Sequence, residues 1–172
     1  MRQDNIVLIG MPGAGKSTMG VVLAKVLGYQ FVDTDLLIQK EEKRLLKDII
    51  SEEGLNGFLE IENRVNSCIV EDQAVIATGG SVIYGESAMA HLREIGFVIY
   101  LKLSYEIINS RLGNIKQRGV VLKEGQTLYD LYRERCPLYE KYAHHTVDCE
   151  KLDIEEVVET IVEYTQMNRK KS

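Results

Sequence analysis

Gly10-Met11-Pro12-Gly13-Ala14-Gly15-Lys16-Ser17-Thr18, set between the apolar run Ile6-Val7-Leu8-Ile9 and a stretch of helical spacing, is the segment on which the fold turns. Glycines at both ends of a short loop, followed by lysine and a hydroxyl residue, form the P-loop pattern, whose inward-facing N–H groups wrap a di- or triphosphate. In that pattern Gly13, Ala14, Gly15, Lys16, Ser17 and Thr18 meet the phosphates; the lysine reaches the outer ones and the Ser17 hydroxyl is the natural ligand of Mg2+. Glycine is needed where the loop visits dihedrals that a Cβ penalises and where a side chain would hold the phosphates away. A helix starting near Lys16 adds the positive end of its dipole.

Outward from this loop, strands and helices alternate. Ile6 to Ile9 reads as a parallel strand buried on both faces. Apolar positions Met19, Val22, Leu23, Val26 and Leu27 recur at helical spacing as far as Gly28, a helix stop. Further strands are expected at Tyr29–Val32, Ala74–Ala77, Phe97–Leu101 and Thr146–Asp148. Short helices broken near Arg44 and Gly54 fill residues 35–68, the inserted region on the substrate side. Helices are also expected over Glu86–Ile95, from Ser104 to Arg111, over Thr127–Tyr142 with an interruption at Pro137, and over Ile154–Met167. The pattern predicts one α/β domain over residues 1–172, in three layers around a mostly parallel sheet, with ligands at the carboxyl ends of its strands.

Composition narrows the function. A length of 172 residues suits one domain with a sizeable core, and a net charge of −5 argues against a general nucleic-acid or acidic-membrane surface. Cys68, Cys136 and Cys149 have neither metal nor disulfide spacing and read as reduced thiols. With no signal-peptide region and no apolar run of membrane-spanning length, a soluble cytoplasmic protein, acting as a monomer, is expected. His91, His144 and His145 lack metal spacing and a paired nucleophile, so they read as structural or surface residues.

The chemistry collects at the predicted strand ends. Asp33 and Asp35 either share one side of an extended strand end, one serving Mg2+ and the other a substrate hydroxyl, or simply cap the next helix. Gly79-Gly80 is either a plain turn or a place where backbone approaches a ligand. Residues 113–125 are polar, basic and flanked by glycines, the composition either of a lid that closes over phosphates, with Arg118 at its centre, or of a solvated loop where an exposed arginine is ordinary. Arg111 offers a planar cation to stack on a nucleotide base, and Arg135 is either a surface helix charge or a site residue.

Taken in order, these residues resemble the shikimate kinases, within the nucleoside-monophosphate-kinase-like P-loop proteins. The resemblance rests on the P-loop, on Phe31-Val32-Asp33-Thr34-Asp35, on Gly54 with Phe58 and Glu62, on Ala77-Thr78-Gly79-Gly80, on Arg118, and on Arg135-Cys136-Pro137-Leu138-Tyr139. It implies a five-stranded parallel sheet with a mobile lid, and ATP- and Mg2+-dependent phosphorylation of a hydroxyl of shikimate, to shikimate 3-phosphate, in aromatic amino-acid synthesis. By the same resemblance Lys16, Asp35 and Arg118 carry catalysis, with Asp33 and Ser17 on the metal side and Asp35 orienting the acceptor hydroxyl. Phe58, position 59, Glu62, Gly79, Gly80, position 81, Arg118 and Arg135 then form the acceptor site.

The chain departs from that pattern at three places. Leu59 stands where the family has an arginine that grips the shikimate carboxylate, Ser81 replaces a third glycine, and Gly119 follows Arg118 where proline is usual. Losing one charge-assisted carboxylate contact is expected to weaken a shikimate site by about ten- to a hundredfold unless another donor has moved in. Arg64, five residues further along the helix, lies on a different face. Leu59 either packs with Leu55 and Phe58 or gives the acceptor an apolar corner. The departures keep two other readings open: a kinase for another small hydroxylated compound, and a nucleotide-binding module that has lost catalysis.

Overall fold

The computed structural model describes residues 4–113, 120 and 122–169. Its centre is β1 (Asn5–Ile9), every residue of which is buried. Parallel partners flank it on both sides, β3 (Ala74–Ala77) through the register Leu8↔Ala77 and β4 (Gly96–Lys102) through Ile9↔Tyr100. β2 (Gln30–Asp33) and β5 (His145–Asp148) complete the parallel order β2-β3-β1-β4-β5.

Period-two alternation along β1 divides the core between two faces. Ile6 and Leu8 pack with Met19 and Leu23 of α1 (Lys16–Leu27) and with Val157, Val158 and Ile161 of α7 (Ile154–Arg169). Val7 and Ile9 face the opposite way, into a cluster with Met89 and Leu92 of α4 (Glu86–Ile95) and Leu131 and Tyr139 of α6 (Leu128–Tyr142). A satellite cluster of Ile38, Ile49, Phe58 and Val65 joins α2 (Thr34–Glu42) to α3 (Leu46–Ser67). Gly54, at φ 70, kinks α3, as its glycine suggested.

Two local readings change. The strand before Asp33 stops there and α2 begins at Thr34, so helix geometry, not strand alternation, places Asp35. Asp33 is the N-cap of α2, its Oδ1 accepting from the Asp35 backbone N at 3.0 Å. Pro137 lies inside α6 without interrupting it. The helix forgoes one backbone bond there, but Thr127 and Asp130 close a capping box at its start, and Tyr139 stacks on Tyr100 of β4 with ring centres 5.1 Å apart. A short 3-10 turn at Val82–Tyr84 follows β3, and α5 spans Tyr105–Leu112. Among the described residues, no helix is long and apolar enough to cross a membrane. Arg118 and Gly119, the centre of the expected lid, lie outside the described residues; Val120 and the turn joining Lys123 to Gln126 lie within them.

Candidate active site

The P-loop leaves β1 with Gly10, Gly13 and Gly15 at φ values of 149, 81 and 88. At Gly10 a Cβ would stand 2.8 Å from the Leu101 carbonyl oxygen, so the loop is also seated too closely on β4 for any other residue. Gly15 adopts a left-handed conformation as the N-cap of α1, which turns the first N–H groups of that helix toward the loop. Lys16 is buried, and its Nζ donates to the carbonyls of Gly10 at 2.7 Å and Met11 at 2.9 Å. Burial pulls its pKa down to about 8, against the opposing pull of Asp35, Asp33 and Glu62, with Arg135 pushing the same way as burial.

A cavity of about 370 Å³ opens in front of this loop. Gly13, Gly15, Lys16, Ser17 and Thr18 form one side, Asp35, Phe58 and Glu62 another, and Gly79, Gly80, Ser81 and Arg135 close it. Ser17 Oγ donates to Asp33 Oδ2 at 3.0 Å, so the hydroxyl and the carboxylate that the sequence assigned to the metal side do meet. Asp35 has its pKa raised, first by burial and then by the Asp33 charge, with Lys16 opposing.

Glu62 is the most deeply set of the acids. It is 1% exposed, and burial pushes its pKa up to about 7; the Asp35 charge adds to this, while the Ser81 hydrogen bond, Arg135 and Lys16 oppose it. Ser81 Oγ donates to Glu62 Oε2 at 2.6 Å, whereas Glu62 Oε1 is buried without a partner among the described residues. The departure at position 81 thus supplies a donor to the buried acid.

The glycine pair sits where these groups converge. A Cβ on Gly79 would lie 2.5 Å from Glu62 Oε1 and 3.0 Å from Asp35 Oδ1; on Gly80 it would lie 2.7 Å from Pro12 Cδ and 3.0 Å from Arg135 Nη1. A side chain at either position would therefore collide with the groups that line the cavity. Arg135 is 5% exposed and lines the cavity, so it is not a surface charge; its guanidinium lies 5.4 Å from the centre of the Tyr84 ring. Tyr139 donates to the Gly80 carbonyl at 2.6 Å and so ties α6 to the glycine loop.

Other expected residues fall outside this cavity. Arg111 donates to the Gly13 carbonyl at 3.1 Å and, with Ala14, Gly15, Thr18, Leu103 and Leu152, lines a second hollow of about 210 Å³ behind the P-loop. Leu59 packs against the Ile38, Ile49, Phe58 and Val65 cluster and is not part of the cavity wall. Sequence reasoning missed Leu46, Lys47, Ile50 and Leu55, which do line the wall. Their only signal was membership of the inserted region, because which face of a helix meets a cavity depends on its partners.

A family model for shikimate kinase matches residues 12–166. The chain belongs to the shikimate kinase family. It is 37% identical over 172 residues to a shikimate kinase of Thermodesulfovibrio yellowstonii, covering 98% of this chain and 99% of that one. A Clostridium botulinum shikimate kinase is 38% identical over 163 residues, covering 92% and 94%. Among solved structures, shikimate kinase from Acinetobacter baumannii in complex with shikimate superposes with a TM-score of 0.85 at 32% identity, covering 96% of this chain and 94% of that one. The Aquifex aeolicus shikimate kinase gives 0.79 at 29% identity over 95% and 97%. As a member of this family the protein is a phosphotransferase that uses ATP and acts on a hydroxyl group, on the five-stranded parallel scaffold described above.

Proposed function

We propose that the protein phosphorylates shikimate, giving shikimate 3-phosphate for aromatic amino-acid synthesis. The observation that carries this reading is the convergence of Lys16, Asp35, Glu62, Gly80 and Arg135 on one cavity beside the P-loop. The acceptor hydroxyl lies at Asp35, whose raised pKa suits a carboxylate that accepts the hydroxyl proton as the oxygen attacks the terminal phosphorus. The new O–P bond forms as the bond to the β-phosphate oxygen breaks, and ADP leaves. Lys16 exchanges its two loop carbonyls for the outer phosphates, whose charge strengthens its protonated form. Arg135 takes the acceptor carboxylate, and the hollow lined by Arg111 and Leu152 takes the base. Arg118 stabilises the transferring phosphoryl group, as the family resemblance implies.

The donor set fits Mg2+. A hydroxyl and one carboxylate oxygen are hard ligands, and among the described residues no cluster of three or more His, Cys, Asp and Glu competes to cage a metal. Ser17 would hold the ion, with Asp33 reaching it directly or through water. An ion held there would supply neutralisation of the phosphate charge.

The lack of an arginine at position 59 keeps a second acceptor reading open, a related hydroxylated compound less acidic at one corner. An ADP-release assay over shikimate and related hydroxy acids, polyols and amino alcohols decides between them. Shikimate-dependent ADP release that outruns every other acceptor supports the first reading; ATP binding with no shikimate-dependent release refutes it. Asp33→Asn should raise the Mg2+ concentration for half-maximal rate by about tenfold. An unchanged metal titration would remove Asp33 from the site.

A further inference from the structure

The cations around the acceptor cavity are not equally free. Lys16, Lys47 and Arg135 line it. Lys16 is held by the Gly10 and Met11 carbonyls at the phosphate end, and Arg135 is buried beside Gly80. Lys47 comes from the first turn of α3, on the wall built by Leu46, Ile50, Leu55 and Phe58. It is exposed and forms no ion pair among the described residues. Its cationic neighbours are committed elsewhere: Arg44 to Glu42, Glu52 and Glu53, and Arg64 to Glu41 and Glu42.

Those same pairs hold Lys47 in place. Arg44 staples the end of α2 to the second turn of α3, and Gln39 Oε1 accepts from the Leu46 backbone N at 3.0 Å, so the corner that carries Lys47 is fixed against the cavity. The side chain then has to reach only from an anchored backbone. Leu59 meanwhile is turned into the α2–α3 apolar cluster and offers the cavity nothing.

Shikimate is a cyclohexene ring with a carboxylate on one side and hydroxyls on the other. With the reacting hydroxyl at Asp35 and the P-loop, the carboxylate points away from Lys16, toward the walls that carry Arg135 and Lys47. We propose that Lys47 is a specificity-determining residue whose ammonium takes the acceptor carboxylate from the α3 wall, as partner to Arg135. This rests on the reading of the acceptor as shikimate or a similar hydroxylated carboxylic acid. A lysine ammonium is a mobile point charge with no bidentate fork, so this grip is weaker and more salt-sensitive than an arginine's.

The test is steady-state ADP release with wild type, Lys47→Met, Lys47→Arg and Lys47→Glu, paired with calorimetric titration of shikimate into each protein. The acceptors are shikimate and its methyl ester, which is neutral at that corner. For shikimate, Lys47→Met should raise KM and Kd about three- to tenfold with kcat and the KM for ATP within twofold of wild type, Lys47→Glu should raise them further, and Lys47→Arg should restore the grip. For the ester, wild type and Lys47→Met should bind alike. Wild-type shikimate affinity in Lys47→Met overturns the inference while leaving shikimate as substrate. An equal loss for acid and ester also overturns it, since wall packing and not charge would be at work. A wild type that neither turns over nor binds shikimate overturns both the inference and the reading beneath it.

Discussion

Replacing Glu62 by glutamine should alter how stability depends on pH more than it alters stability at any one pH. The carboxyl titrates near 7 in the folded chain against an ordinary value of 4.5, mainly because burial disfavours its charged form. Below pH 4.5 it is protonated whether the chain is folded or not, and it contributes no penalty. As pH rises from there the unfolded chain gives up the proton while the folded chain keeps it, so stability falls until about pH 7 and levels off above. At 1.36 kcal/mol per tenfold, the loss between pH 5 and pH 8 is about 2 to 3 kcal/mol. Asp35 is shifted in the same direction; the part of its shift that comes from its own burial is common to both proteins and cancels, leaving only its coupling to Glu62 in the difference. Glutamine keeps a carbonyl oxygen for the Ser81 hydroxyl and does not titrate. Urea unfolding should be followed by far-ultraviolet circular dichroism, since the chain has no tryptophan, at half-unit steps from pH 5 to pH 8. The Glu62→Gln variant should gain about 2 to 3 kcal/mol on the wild type across that range. Parallel stability profiles would show that Glu62 ionises freely, and would refute the account of its burial.

Lys16→Ala should cut shikimate-dependent ADP release by at least a hundredfold, because positioning and charge neutralisation are most of what a protein contributes to phosphoryl transfer. Its unfolding midpoint at pH 7 should fall little, since the wild-type lysine is already disfavoured by burial, and turnover within a few-fold of wild type would remove Lys16 from the chemistry. Tyr139→Phe leaves the Gly80 carbonyl without its donor and should cost about 1 to 3 kcal/mol in chemical denaturation. Because that bond anchors the glycine loop beside Arg135, KM for shikimate should rise more than KM for ATP; equal changes would mean that the loop does not depend on α6.

Local sequence determined the parts of this protein that depend on a few neighbouring residues. The glycine spacing of the P-loop demanded its backbone because positive φ and close approach are intrinsic to residues without a Cβ. The central strands were legible as unbroken apolar runs, since a parallel strand covered on both faces needs no polar side; Ala74–Ala77 has the bounds read from sequence. Asp33 as a helix cap was equally local.

Tertiary packing decided the rest. Whether Leu59 faced the acceptor or the core depended on the rotation of α3 about its axis, and that rotation leaves it half-buried against the cluster of Ile38 and Ile49. Pro137 looked like a helix break, yet the stacking of Tyr139 on Tyr100 and the capping box at Thr127 carry α6 through the missing bond. Nothing in the spacing of Asp35, Glu62, Gly79 and Ser81 foretold that a buried carboxyl would meet a serine hydroxyl beside a glycine with no room for a Cβ. Backbone conformation follows from sterics within a few residues, whereas the depth of Glu62 and the reach of Lys47 exist only once helices distant in sequence have found the faces that bury their apolar surface.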